Sequence, residues 1–193
     1  MTSRVKAWPR RLAGGLLVVA VSGLAAAEAP PLASLLKLLE LRGYSPGTMA
    51  PALNGPTLDA RPLSTAELRG KVLVLNFWAS WCLECRREMP QLERIHREFA
   101  RHGLAVIGID VRENRDAARR YAKELGLTFP LVLDPDGTIN AAYGVIGLPT
   151  TIVVGRDGRA VGLAVGPREW AGASARDITE ALLAEPASRP GSR

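Results

Sequence analysis

Two cysteines, the only two in 193 residues, stand two residues apart in the run Cys82-Leu83-Glu84-Cys85. Thiols at that spacing can close into a disulfide and open again. Their surroundings decide what the pair does. An apolar, strand-like run, Val72 to Phe77, leads into it, and a helix-like pattern follows. That places Cys82 at a strand-to-helix turn, where unpaired backbone N–H groups and the positive end of the helix dipole favour an anion. A thiolate is such an anion, so Cys82 is expected to ionise readily and to attack, with Cys85 resolving the mixed disulfide one turn later. A purely structural bridge fits less well, because closing so short a loop constrains the unfolded chain little. Zinc fits poorly too. His96 and His102 follow at a loosely finger-like spacing, but His96 lies 11 residues beyond Cys85. On a helix that is about 16 Å along the axis, against metal bonds of about 2.0–2.3 Å.

The elements around the pair read as strand, helix, strand, helix, strand, strand, helix. The continuous apolar character of Val72 to Phe77 suits a strand buried on both faces. The helix after Cys82 is expected to run to about Arg101, with Leu92, Ile95 and Phe99 as its core stripe, a kink at Pro90 and a stop at Gly103. Leu104 to Val111 reads as a second buried strand, Arg115 to Leu125 as an amphipathic helix, Phe129 to Leu133 as a strand and Thr138 to Tyr143 as a short helix. Ile152 to Val154 and Ala160 to Val165 flank a hairpin turn at Arg156–Arg159. A last helix is expected over Arg168 to Ala184, carrying Trp170, Ile178, Leu182 and Leu183. Alternation early and a hairpin late predict an α/β domain with a mixed central sheet and helices on both faces. Asn54-Gly55 reads as a turn, making 52 to 63 a hairpin-like entry to the domain, and Ser64 as the cap of a short helical turn.

The ends suggest export. Residues 1–27 combine a basic start (Arg4, Lys6, Arg10, Arg11), an apolar run from Leu12 to Leu24 and Ala25-Ala26-Ala27 as a small-residue cleavage site. A cleaved secretory signal is expected, with an uncleaved signal anchor as the alternative. Residues 28–50 read as a prelude or linker whose short helix over Leu32 to Leu41 either docks on the domain or forms part of a tether, the domain as 51–184, and 185–193 as a disordered Pro/Ser/Arg-rich tail. Without the signal, 21 Lys and Arg face 19 Asp and Glu, so the basic balance of the whole chain does not point to nucleic acid.

Four motifs in order carry a resemblance: Gly70 to Cys82 (GKVLVLNFWASWC), Cys85 to Pro90 (CRREMP), Tyr143 to Thr151 (YGVIGLPTT) and Asp157-Gly158-Arg159. Together they resemble the thioredoxin superfamily and, within it, the exported TlpA/ResA-like thiol–disulfide oxidoreductases, over about Pro51 to Ala184. The resemblance implies a thioredoxin-like fold, Cys82 as nucleophile and Cys85 as resolving thiol. It implies a cis peptide at Pro149, beside which the backbone of Leu148 offers strand-like hydrogen bonds to a substrate segment. Trp81 is expected to flank the site as a contact surface, with Trp78 and Phe77 in the core. Glu88 matches an acid near the pair in these proteins and shares a helix face with Cys85, so it is expected to hold or move the resolving cysteine's proton. Cytosolic thioredoxins carry a buried aspartate where this chain has Asn76, which cannot titrate. Leu83 and Glu84 are the expected tuners of the potential: relatives have proline at 84, and a carboxylate beside Cys82 disfavours its thiolate.

The reaction expected is reduction of disulfides in specific exported clients, such as apocytochrome c or a copper-site assembly protein. A membrane thiol donor of the DsbD/CcdA kind would recharge the pair. No resident metal or organic cofactor is called for, and the redox element is the Cys82–Cys85 pair itself. Oxidation or isomerisation uses the same residues and differs in potential and partner. A copper chaperone would use the two thiolates as soft ligands, but copper-carrying relatives space their cysteines further apart and add a downstream histidine.

Overall fold

The computed structural model describes residues 30–187. The expected signal (1–27) and most of the expected tail (188–193) lie outside the described residues. In chain order the elements are α1 (Leu32–Leu38), β1 (Arg42–Gly43), β2 (Asn54–Pro56), β3 (Pro62–Ser64), a 3₁₀ turn (Thr65–Leu68), β4 (Val72–Trp78), α2 (Leu83–Phe99), β5 (Leu104–Val111), α3 (Arg115–Leu125), β6 (Leu131–Asp134), α4 (Thr138–Ala142), β7 (Thr150–Val154), β8 (Ala160–Val165) and α5 (Ala173–Ala184).

The main sheet runs β1-β8-β7-β4-β5-β6. β4, β5 and β6 are parallel, and β7, β8 and β1 add antiparallel neighbours. Every residue of β4 is buried, because successive side chains point to opposite faces and both faces are covered. Val72, Val74 and Trp78 pack with α1, α2, α3 and α5. Leu73, Leu75 and Phe77 pack with residues of α4, the 3₁₀ turn and the β2–β3 hairpin. Each such apolar side chain contributes about 1.5–3 kcal/mol on burial. Asn76 falls among the residues of the first face and is itself fully buried.

Three expectations are corrected. The segment 28–50 is no linker where it is described: Leu35, Leu36, Leu39 and Leu41 are buried in the core, and β1 extends the sheet along β8. Its apolar helical face has a partner, and that partner is the domain. Asn54-Gly55 is not the hairpin turn but lies in β2, and the chain reverses near Ala60, whose φ is +62°. Glycine is needed at 55 for space, since a Cβ there would come within 2.7 Å of Val132 Cγ1. The last helix begins at Ala173, with Gly172 as its cap. Trp170 therefore precedes it, in a loop that reaches back to the cysteine pair.

Candidate active site

β4 delivers the chain to Cys82, and α2 begins on it. Cys82 is the helix N-cap, and the backbone N–H of Cys85 donates to its Sγ at 3.1 Å. This is the donor geometry that stabilises a thiolate. The two sulfurs are joined in a disulfide. They are unequal: Cys82 keeps 7% of its surface and Cys85 none. An incoming thiol or disulfide meets Cys82 first, while Cys85 can act only inward.

Glu88 lies one turn beyond Cys85 on α2 and is 1% exposed. Three donors surround its carboxylate. Asn76 Nδ2 reaches Oε2 at 3.0 Å, the Arg168 backbone N–H reaches Oε1 at 3.1 Å, and Trp170 Nε1 also donates to Oε1. Burial raises its pKa from the ordinary 4.5 to about 7, against the opposing pull of the Trp170, Arg168 and Asn76 hydrogen bonds. A carboxyl poised near neutrality can both take and return a proton. Asn76 also donates to Thr151 Oγ1 at 2.9 Å, tying β4 to β7 at this level.

The Arg168 side chain fixes the loop that supplies two of these donors. Its Nε donates to Leu39 O at 3.1 Å and its Nη2 to Glu40 O at 3.2 Å, just past the last turn of α1. A cleft of about 380 Å³, lined by Leu39, Glu40, Glu84, Glu88 and Arg168 among others, runs along this seam.

The Leu148–Pro149 peptide is cis. Thr150 pairs with Phe77, so Pro149 lies level with the end of β4, where the chain turns toward Cys82. The Pro149 carbonyl accepts from Gly166 N–H at 2.9 Å, whereas no backbone hydrogen bond among the described residues engages Leu148. Leu148 thus carries a backbone N–H and C=O with no backbone partner among the described residues. Trp81 (72% exposed) and Leu83 stand out on either side of Cys82, and Ile146 projects from the loop before Pro149. Glu84 is half exposed and pairs with Arg87 at 2.8 Å. His96 lies on the same helix about three turns from Cys85, edge-on to Phe129.

Sequence reasoning assigned no role here to Trp170, Arg168, Ser80, Glu113 or Asp110. Trp170 and Arg168 meet Glu88 from about 80 residues away, and no local pattern announces that. Ser80, two residues before Cys82, donates from its N–H (2.5 Å) and Oγ (2.6 Å) to the Glu113 carboxylate. Asp110 did carry a signal: an acid inside the otherwise apolar run Ile107 to Val111.

The AhpC/TSA family model matches residues 46–161. The thiol-disulfide oxidoreductase ResA of Bacillus subtilis (strain 168) is 32% identical over 122 residues, covering 63% of this chain and 68% of that protein. The ResA proteins of Bacillus thuringiensis and Geobacillus thermodenitrificans are matched over slightly less, 66% and 65% of their lengths. Among solved structures, a thioredoxin family thiol:disulfide interchange protein from Chlorobium tepidum TLS superposes with a TM-score of 0.65 at 32% identity, covering 72% of this chain and 99% of that one. A secreted thiol-disulfide isomerase from Corynebacterium glutamicum gives a TM-score of 0.66 at 29% identity, covering 75% and 92%.

Proposed function

We propose, for a chain that belongs to the AhpC/TSA family and has a thioredoxin-like fold, that it is a thiol–disulfide oxidoreductase working outside the cytosol as a reductant of client disulfides. One observation carries the chemistry: Cys82 caps α2 with the Cys85 N–H on its sulfur, while Cys85 is buried beside an acid poised near neutrality. In the reduced protein the Cys82 thiolate attacks one sulfur of a client disulfide. That S–S bond breaks, the first client thiolate leaves and takes a proton, and a mixed disulfide forms. Cys85 gives its proton to the Glu88 carboxylate and attacks Cys82 Sγ. The Cys82–Cys85 disulfide closes, and the second client sulfur leaves as a thiolate that is then protonated. Two electrons and two protons pass to the client.

Recharging needs the reverse exchange with an external dithiol, and outside the cytosol a membrane thiol donor of the DsbD/CcdA kind fits that need. Export is supported by residues 1–27 and by the secreted relative. The free backbone of Leu148 beside cis-Pro149, with Trp81 close by, would hold an extended client segment. Clients of the cytochrome c maturation or metal-site assembly type are part of this reading.

The equilibrium potential of the pair, measured on the signal-free protein against a thiol redox buffer, tests the direction. A value well below that of the glutathione pool supports a reductant. A value at the strongly oxidising end replaces it with disulfide formation at the same site.

A further inference from the structure

Glu88 serves Cys85 from the α2 side. A second acidic pair stands on the other flank, beside the residues that lead into Cys82, and the mechanism above leaves it unused. Asp110 lies near the end of β5, paired in register with Trp78 of β4, and is fully buried. Among the described residues, no N–H or O–H reaches either of its oxygens. The group within hydrogen-bonding reach is the Glu113 carboxylate, itself an acceptor. Two carboxylates cannot hydrogen-bond without a proton between them. Glu113 is committed elsewhere, because its two oxygens hold the Ser80 N–H and Oγ–H. Burial first, then the hydrogen bond and charge of Glu113, favour the protonated form of Asp110.

The other groups around Asp110 reinforce this. From β6, Asp134 adds a second negative charge, and its own oxygens are taken by the Ile139 and Asn140 N–H groups. From α3, Tyr121 stacks on Trp78 with centroids 4.5 Å apart, and its hydroxyl has no partner. From α2, Arg86 lies over the Tyr121 ring and is engaged by Glu124. Arg115 is spent on the Thr57 and Leu58 carbonyls. Arg112, two residues on, packs its guanidinium against Gly137, and no cation among the described residues is among the charges acting on Asp110.

We propose that Asp110 and Glu113 form a proton-sharing carboxyl pair that positions the active-site loop: protonated Asp110 steadies the Glu113 carboxylate, which clamps Ser80 and thereby the approach to Cys82. Asp110 is a positioning residue, acting through Glu113 and Ser80. The inference rests on the thiol–disulfide reading only for its consequence at Cys82. When Asp110 loses its proton, two adjacent carboxylates repel, the clamp on Ser80 loosens, and a negative charge appears beside the Trp78 end of β4, from which the chain runs on to Cys82. Burial and the Glu113 charge hold that event up at about pH 8, within reach of ordinary buffers.

The test uses the oxidised signal-free protein, in which neither cysteine titrates. The Ser80 amide proton and the Asp110 carboxyl carbon are followed by NMR from pH 5 to 10. Both should titrate together with an inflection near pH 8. The Ser80 inflection should vanish in Asp110→Asn, which keeps a donor for Glu113 but has no proton to lose, and should persist in Glu88→Gln. In Glu113→Gln, which keeps an acceptor for Ser80 and removes the neighbouring charge, the Asp110 inflection should move down by a pH unit or more. In the reduced protein, the pH profile of Cys82 alkylation should lose its step near pH 8 in Asp110→Asn. A Ser80 amide that does not titrate in the wild type, or an Asp110 inflection unmoved by Glu113→Gln, overturns the proposal. Either reading needs only a folded wild type or the second variant. Failure of the thiol–disulfide reading shows separately, as an inability to reduce a protein disulfide at any pH.

Discussion

Replacing Glu88 with glutamine should change how stability depends on pH, and the amount follows from the site. Glu88 has an ordinary value of 4.5 in the unfolded chain and about 7 in the fold, where burial is the dominant cause. Below pH 4.5 both states hold the proton, and the group adds no pH dependence. Between 4.5 and 7 the unfolded chain has lost its proton while the fold keeps it, so rising pH favours unfolding. At about 1.36 kcal/mol per pH unit, the total is about 3 kcal/mol, after which the effect levels off. Glutamine cannot titrate, so its variant lacks this fall. Any hydrogen bond that glutamine makes worse adds a constant offset and not a slope. Urea unfolding of oxidised wild type and Glu88→Gln at half-unit steps from pH 4 to 8.5 gives the two curves. Their difference should decline by about 3 kcal/mol between pH 4.5 and 7. Taking the difference also cancels the slope from Asp110, which both proteins share. A difference curve flat to about 0.5 kcal/mol would refute the claim that Glu88 is neutral in the fold at mildly acid pH, and with it the proton-carrier role.

Trp170→Phe keeps the aromatic bulk but removes the Nε1 donor to Glu88. A hydrogen bond to a charged group contributes about 1.5–3 kcal/mol, so the carboxyl should titrate about 1–2 pH units higher, read from its ¹³C shift, and mixed-disulfide resolution at pH 7 should slow accordingly. Glu84→Pro removes a carboxylate beside Cys82, but that carboxylate is half exposed and paired with Arg87. An exposed charge is worth at most about 1 kcal/mol, so the potential should rise by no more than about 20 mV; a fall would contradict the reading of Glu84 as a reducing influence. Gly108→Ala puts a Cβ 2.5 Å from Leu131 Cδ2 and 2.9 Å from Trp78 Nε1. Overpacking of that kind costs about 1–3 kcal/mol and should appear as a lowered Tm, with the cysteine pair still able to exchange.

The parts of this structure that obey local rules were readable from the chain. β4 announced itself as an unbroken apolar run, α2 by its stripe of Leu92, Ile95 and Phe99, and the cysteine pair by sitting where one becomes the other. What could not be read is set by tertiary contact. Gly55 carries a turn signature yet serves packing, because what matters is Val132 of β6, which packs against the hairpin from the main sheet. The apolar face of α1 was visible, but not the core that receives it. Trp170 looks like one more helical core residue until the chain places its indole on Glu88, a pairing made across 82 positions of sequence. Asp110 is the instructive omission, since an acid in the middle of Ile107 to Val111 contradicts its surroundings, and such contradictions tend to mark function.

The choice of Asn76 rather than an acid facing the pair has a physical logic. An ionised Glu88 needs donors, and it has three. A protonated Glu88 also needs an acceptor for its own O–H, and the donors around it supply none. Asn76 can serve both states. As placed, its Nδ2 donates to Glu88 and to Thr151, and its Oδ1 has no partner. Rotating the amide turns Oδ1 toward the glutamic acid proton. The Thr151 hydroxyl can follow, because it donates or accepts equally well. An aspartate at 76 would instead add a second buried charge that competes for the same proton, splitting one titration into two coupled ones. With asparagine there, the buried carboxyl of Glu88 titrates without a second acid at 76 to share its proton, and a neighbour that can turn over accommodates the proton's arrival and departure.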